Sequence, residues 1–387
     1  MSRIYLDHAA TTPMVPEAVE AMTRELTRVG NASSLHGSGR TARRVVEESR
    51  EAIAARVGAH PTELIFTSGG TESDNLAVKG AAWSGDRAGR RRVITSTIEH
   101  HAVLDSVAWL GRSAFAEASY VPVDATGRLD LATLAGVVGT DTSLVSVMWA
   151  NNEVGTVQAI PEIAAIAADN GAICHSDAVQ AVGHVEVDFA ASGLDLLTFT
   201  AHKLGGPYGI GALVARRELR LAPLLHGGGQ ERDIRSGTLD VPAVAGFAAA
   251  VEVASQHRIQ EERRVRELRA SLINTVLAAV PTAVVHGPTF ERDRLPGVAN
   301  IGFPGCSADA ILMLLDFAGI DCSTGAACSA GVAQPSHVLL AMGYAESDAR
   351  SAVRFSLGHT STAADVGALA AALPEAVERA KAAAAFA

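Results

Sequence analysis

The chain has 387 residues, 48% of them hydrophobic and 36 of them glycine, enough to bury a large core and form two lobes. With 32 basic against 42 acidic residues it carries a formal charge of −10 and no long basic run, which argues against nucleic acid as a direct partner. No uninterrupted apolar segment is long enough to span a bilayer, Met1-Ser2-Arg3 leads into Ile4 without a signal peptide, and only four cysteines are present; a cytoplasmic protein is expected.

From about residue 16 to residue 253 strand and helix patterns alternate, which predicts an α/β fold, a mostly parallel sheet with helices on both faces. The expected strands are 63–67, 92–97, 118–122, 144–149, 172–176, 196–200 and 210–215. The arginine-rich stretch 40–50, interleaved with Glu47, Glu48 and apolar residues, reads as a solvated helix face.

Four of these strands deliver chemistry. The first runs into Ser68-Gly69-Gly70-Thr71 and then a helical pattern, so that backbone amides and a hydroxyl point at an anion on a helix N-terminus. It is neither a Walker loop nor Gly-x-Gly-x-x-Gly. The second delivers His100 and His101 at its end, and the strand 172–176 ends in Asp177 with Gln180 three residues on. The strand 196–200 ends in Thr200-Ala201-His202-Lys203, followed by the glycine-rich stretch 204–211. A lysine so placed beside an anion cradle suits a Schiff base with a phosphate-bearing aldehyde. Asp177 suits the nitrogen of a pyridine ring, because a paired carboxylate keeps that nitrogen protonated and the ring an electron sink. The cofactor these residues call for is pyridoxal 5'-phosphate. His100, lying between cradle and acid, is placed to stack on the ring, whereas His101 reads as a capped or solvated histidine.

Beyond the strands, a long charged helix over about 243–279 bridges to a smaller C-terminal α/β lobe, which the extreme N-terminal segment is expected to join. The division is a large domain over 16–253 and a small one over 1–15 and 254–387. Cys174, Cys306 and Cys322 read as small buried hydrophobes, and no paired Cys or Cys/His spacing for zinc is present. Cys328 differs. In Thr324-Gly325-Ala326-Ala327-Cys328-Ser329-Ala330-Gly331 small residues surround it, so it reads as a thiol on a loop able to carry sulfur toward the cofactor and away again. Arg354, in an alternating strand pattern, offers a planar fork for a substrate carboxylate.

Tyr5-Leu6-Asp7-His8-Ala9-Ala10-Thr11-Thr12-Pro13, Gly69-Gly70-Thr71-Glu72-Ser73-Asp74-Asn75, Asn151-Asn152-Glu153-Val154-Gly155, His202-Lys203 and Arg235-Ser236-Gly237-Thr238 together resemble the pyridoxal-phosphate-dependent cysteine desulfurases of the class V aminotransferase family. The likeness runs in order from Tyr5 to Arg354, and Gln334-Pro335-Ser336-His337 after the Cys328 loop is similar to the longer loop of the housekeeping and nitrogen-fixation subgroup. The resemblance implies a fold-type I enzyme with a seven-stranded large domain. It implies conversion of L-cysteine to L-alanine, with the sulfur left as a persulfide on Cys328 and passed to a sulfur-acceptor protein for iron–sulfur cluster assembly or tRNA thiolation.

Carried over position by position, Gly70, Thr71, Thr200 and His202 hold the phosphate, Asp177 pairs with the ring nitrogen and Lys203 carries the cofactor. Asn151 and Gln180 contact the ring hydroxyl, Asn151 and Arg354 bind substrate, and Thr238 reaches the phosphate from the second subunit of a homodimer. No resident metal is implied, although transient iron–sulfur ligation by Cys328 fits the resemblance. A selenocysteine lyase or an aminotransferase of the same fold would use the same Lys203, Asp177 and His100 without needing Cys328. A non-enzymatic sulfur-carrier scaffold would need Cys328 alone.

Overall fold

The computed structural model describes residues 3–86, 89–324 and 334–384. Thirteen strands are found among them: β1 (Ile4–Tyr5), β2 (Leu64–Thr67), β3 (Arg92–Ser96), β4 (Glu117–Val121), β5 (Thr142–Ser146), β6 (Ile173–Asp177), β7 (Leu196–Thr200), β8 (Gly211–Ala215), β9 (Val284–His286), β10 (Val298–Gly302), β11 (Ile320–Asp321), β12 (Ser323–Thr324) and β13 (Ala352–Ser356). The helices are α1 (Pro16–Leu26), α2 (Gly37–Arg56), α3 (Gly70–Asp86), α4 (His101–Arg112), α5 (Leu131–Val137), α6 (Ile160–Asp169), α7 (Phe189–Ser192), α8 (Val241–Ala279), α9 (Ala308–Phe317), α10 (His337–Ala341), α11 (Glu346–Ala349) and α12 (Ala363–Ala384).

Strands β2 to β8 form one seven-stranded sheet in the order β2-β8-β7-β6-β5-β3-β4, with the expected strands in place to within a few residues at each end. All pairs are parallel except the two made by β8, which runs antiparallel to both β7 and β2. The reversal follows from chain length. Ten residues join β7 to β8, too few for the helical crossover that a parallel neighbour needs. Strands β5, β7 and β8 are buried along their whole length and β6 at every residue but Ile173, as a sheet covered on both faces requires, and the edge strand β4 exposes Glu117 and Tyr120.

The second sheet has the order β12-β13-β10-β9, and β1 pairs in parallel with β11 beside it. Helix α8 joins the two cores. Asp240 caps its first turn through the Ala243 amide; Val244, Phe247 and Val251 pack into the core under the large sheet, and Val265, Leu272 and Val276 into the core that holds Leu6, Phe303 and Phe355.

One expectation fails. Arg50, in the arginine-rich part of α2, is not on a solvated face: it is buried, donates to the Leu64 carbonyl at 2.7 Å and pairs with Glu231 at 2.7 Å. Its guanidinium lies over the Phe66 ring, so a long side chain that local pattern marks as exposed is drawn inward by a buried acid far along the chain.

Candidate active site

The site gathers at the C-terminal ends of the parallel strands, where open α/β sheets leave a crevice. Gly69, between β2 and α3, adopts φ +148°, a conformation that favours glycine. A Cβ on Gly69 would sit 3.9 Å from the Thr200 hydroxyl oxygen, and one on Gly70 would lie 3.0 Å from a Val179 methyl. The cradle is thus brought against the ends of both β7 and β6. Gly211 opposite tolerates no side chain, since its Cβ would meet the Gly69 backbone at 2.8 Å. Thr71 is exposed on the first turn of α3, Thr200 is buried and donates to the Ile210 carbonyl at 2.9 Å, and His202 contacts the Thr11 hydroxyl at 3.3 Å.

Asp177 closes β6. Its Oδ1 accepts from the Val179 amide at 2.9 Å and the residue is 5% exposed. Burial pushes its carboxyl up to about 6, while the Val179 amide and the charge of Lys203 work in the other direction. A desolvated carboxylate of this kind fits a cationic ring nitrogen. Lys203 stands in a short turn after β7, and its ammonium donates to the carbonyls of Ala9 at 2.6 Å and Ala10 at 2.7 Å.

His100 caps α4, its Nδ1 accepting from the Ala102 amide at 3.1 Å. That bond leaves the ring proton of the neutral imidazole on Nε2. Burial, helped by the charge of Lys203, lowers His100 to about 4, so it is neutral at physiological pH. His101 packs against His337 with ring centroids 4.9 Å apart.

Asn151 is fully buried in a polar turn: its Nδ2 donates to the Ile98 carbonyl at 2.9 Å, and its Oδ1 accepts from the amides of Glu153 at 2.9 Å and Val154 at 3.0 Å. Gln180 donates to the Ala9 carbonyl at 2.8 Å, sharing that acceptor with Lys203. Arg354, on β13, donates to Asp7 Oδ1 at 2.7 Å and to the Asn152 carbonyl at 3.1 Å. The segment Asp7 to Ala10 is therefore where Lys203, Gln180 and Arg354 converge. Sequence reasoning quoted this segment without giving it a role, because nothing local marks a carbonyl as an acceptor for a lysine almost two hundred residues away.

Thr238 is exposed on the segment that leads into α8, and Arg235 three residues before it pairs with Glu72 of α3 at 2.8 Å. Cys174 is buried in β6 and Cys306 is buried at a turn, as expected of small hydrophobes; Cys322 is only partly buried, its thiol raised to about 12, chiefly by burial. Cys328 lies outside the described residues. Buried acids to which local sequence gives no role include Asp74 on α3 and Glu99 before α4.

With this geometry in hand, comparison with known proteins is decisive. The model of the aminotransferase class-V family matches residues 4–369. The chain belongs to the class-V aminotransferase family. It is 53% identical over 384 residues to an IscS-like cysteine desulfurase of Mycobacterium tuberculosis, covering 98% of each chain. Among solved structures it is similar to a NifS-like protein from Rickettsia africae, with TM-score 0.88 and 33% identity over 97% of this chain and 99% of that one. It is also similar to SspA, solved in complex with cysteine, with TM-score 0.79 and 31% identity over 92% of this chain and 98% of that one. Family and fold make the chain a fold-type I enzyme that depends on pyridoxal phosphate. The donor set fits that group: a helix N-terminus for a phosphate, a desolvated carboxylate for a ring nitrogen and a lysine amine at the end of β7.

Proposed function

We propose that the protein is a cysteine desulfurase that takes L-cysteine to L-alanine and leaves the sulfur on Cys328. The observation that carries the reading is the convergence of Lys203, Gln180 and Arg354 on one N-terminal segment in a chain whose relatives bear that name. Residues 16–253 act as the cofactor-binding domain and 1–15 with 254–387 as the small domain; the division of the α8 contacts between two cores supports that boundary.

Pyridoxal phosphate, when bound, supplies an electron sink for the carbanion at the substrate α-carbon. The chain supplies the rest. Gly70, Thr71, Thr200 and His202 hold the phosphate, and Asp177 keeps the ring nitrogen protonated. Arg354 receives the substrate carboxylate, exchanging part of its contact with Asp7 for a paired interaction; its Nε is buried without a hydrogen-bond partner among the described residues. Lys203, as a neutral amine, takes the α-proton and returns one to the product. Neutral His100, with its Nε2 proton, would stack on the ring and could relay a proton near the substrate thiol. The Cys328 thiolate attacks the substrate sulfur. A sulfur–sulfur bond forms, the carbon–sulfur bond breaks with its electron pair left on the carbon side, and protonation there yields alanine and a Cys328 persulfide.

Thr238, exposed in the single chain, is the residue we assign to a second subunit's phosphate site; the reading is a homodimer that hands sulfur to an acceptor protein. A reducing compartment, the cytoplasm, suits a thiol that must stay free. The test is alanine formation from L-cysteine alongside the visible absorbance of the purified protein, in wild type and Lys203→Ala. Cysteine-dependent alanine with a cofactor band in wild type alone supports the reading; turnover of other amino acids in preference to cysteine sinks it.

A further inference from the structure

Helix α3 covers the face of the large sheet on which His175, Asp177 and Thr198 stand, and it turns Asp74 into that face. Asp74 is 1% exposed. The strands beneath α3 bring it no cation: β2, β5, β7 and β8 contain no lysine, arginine or histidine, and β6 brings only His175 and Asp177. His175 Nε2 lies 3.7 Å from Asp74 Oδ1, beyond hydrogen-bond distance, and that oxygen has no hydrogen-bond partner among the described residues. Instead a buried chain runs from Ser146 Oγ to His175 Nδ1 at 2.8 Å and from His175 Nε2 to the Thr198 hydroxyl at 3.0 Å, and Thr198 faces Asp74. Thr198 is also the register partner of Asp177 across β6 and β7.

A charged carboxylate in such a place would be desolvated and next to a second acid, with a hydrogen bond from the Thr198 hydroxyl working the other way, a costly arrangement that one proton relieves. We propose that Asp74 is a positioning residue held as a neutral carboxylic acid, ordering Thr198 beside Asp177 and leaving Asp177 as the anion that meets the cofactor. The role rests on the assignment of Asp177 to the ring nitrogen. The other titratable groups facing this pocket are Glu99, His175 and Lys203. Glu99 and Asp177 both disfavour charge on Asp74; burial holds His175 neutral, and Lys203 acts on Asp177. Burial and Asp177 together raise Asp74 well above the ordinary carboxylate range.

The first measurement is the infrared carbonyl stretch of protonated carboxyl groups in the full-length apo-protein at pH 7, made in a Glu99→Gln background so that Glu99 does not contribute. A band that disappears on adding Asp74→Asn supports the proposal; no Asp74-dependent band overturns it, whatever the enzyme's activity. The second is cofactor affinity. Asp74→Ala should weaken it about tenfold and Asp74→Asn, the isostere of a neutral acid, should restore most of that loss. An Asn variant as weak as Ala would show that the negative charge is needed, and an Ala variant that binds normally would remove the positioning role. If Asp74→Ala does not fold, the infrared comparison decides alone.

Discussion

Arg354 on β13 holds Asp7 at 2.7 Å from the opposite end of the chain, placing the residue proposed to receive the substrate carboxylate in an ion pair already formed. Arg354 is 5% and Asp7 18% exposed as side chains, so the pair is only lightly screened. Replacing Arg354 by Lys keeps the charge and loses the planar fork. The expected result is a rise in KM for cysteine of about tenfold to a hundredfold, from the loss of about 1.5–3 kcal/mol in charge-assisted hydrogen bonds, with cofactor absorbance retained.

Asp177 must be ionised to pair with a protonated ring nitrogen, and burial holds its own carboxyl up at about 6. Cofactor capture by the apo-protein should therefore weaken as pH falls below about 6, approaching tenfold per pH unit. Rapid-mixing absorbance on apo-protein between pH 5 and 8 measures this. Asp177→Asn should capture the cofactor poorly at every pH in that range.

Glu99 is buried, with Oε1 accepting from the Ser96 hydroxyl and, at 3.0 Å, from the Met148 amide, and with Oε2 unpaired among the described residues. Burial raises it from 4.5 to about 8. Between those values the folded chain binds more protons than the unfolded one, so this group's contribution to stability falls as pH rises through the window. Thermal unfolding of apo-protein should show that decline, and Glu99→Gln should make it shallower. An equal slope in the variant would contradict the assignment.

Glu72 and Arg235 are both largely shielded from solvent, and Glu72 also accepts from the Ser68 amide at 2.7 Å. The pair ties the segment carrying Thr238 to the first turn of the cradle helix. Breaking it with Arg235→Ala should cost about 1–3 kcal/mol of stability and weaken both cofactor binding and the proposed homodimer, read by calorimetry and by sedimentation at several concentrations.

The alternation of strand and helix places the seven strands of the large sheet, and strand ends place Lys203, Asp177 and His100, because a parallel sheet buried on both faces leaves an apolar signature ending where the chain turns polar. The reversed direction of β8 is not visible in that signature, since direction depends on the connection. Arg50 and Asp74 defeat local reading for a shared reason: Glu231 and Thr198, which define their surroundings, lie far away in sequence. Asp74 lies within the motif Gly69 to Asn75, yet an acid on the first turns of a helix looks like an ordinary partner of the helix dipole until the sheet beneath it is known.

The central claim is tested most directly by single-turnover reaction of holo-protein with L-cysteine in wild type and Cys328→Ser, following the cofactor band and alanine together. Both proteins should show the cysteine-dependent spectral change, and only wild type should release alanine in proportion to persulfide. Alanine released at the wild-type rate by Cys328→Ser, with the sulfur transferred to an acceptor, would contradict the account.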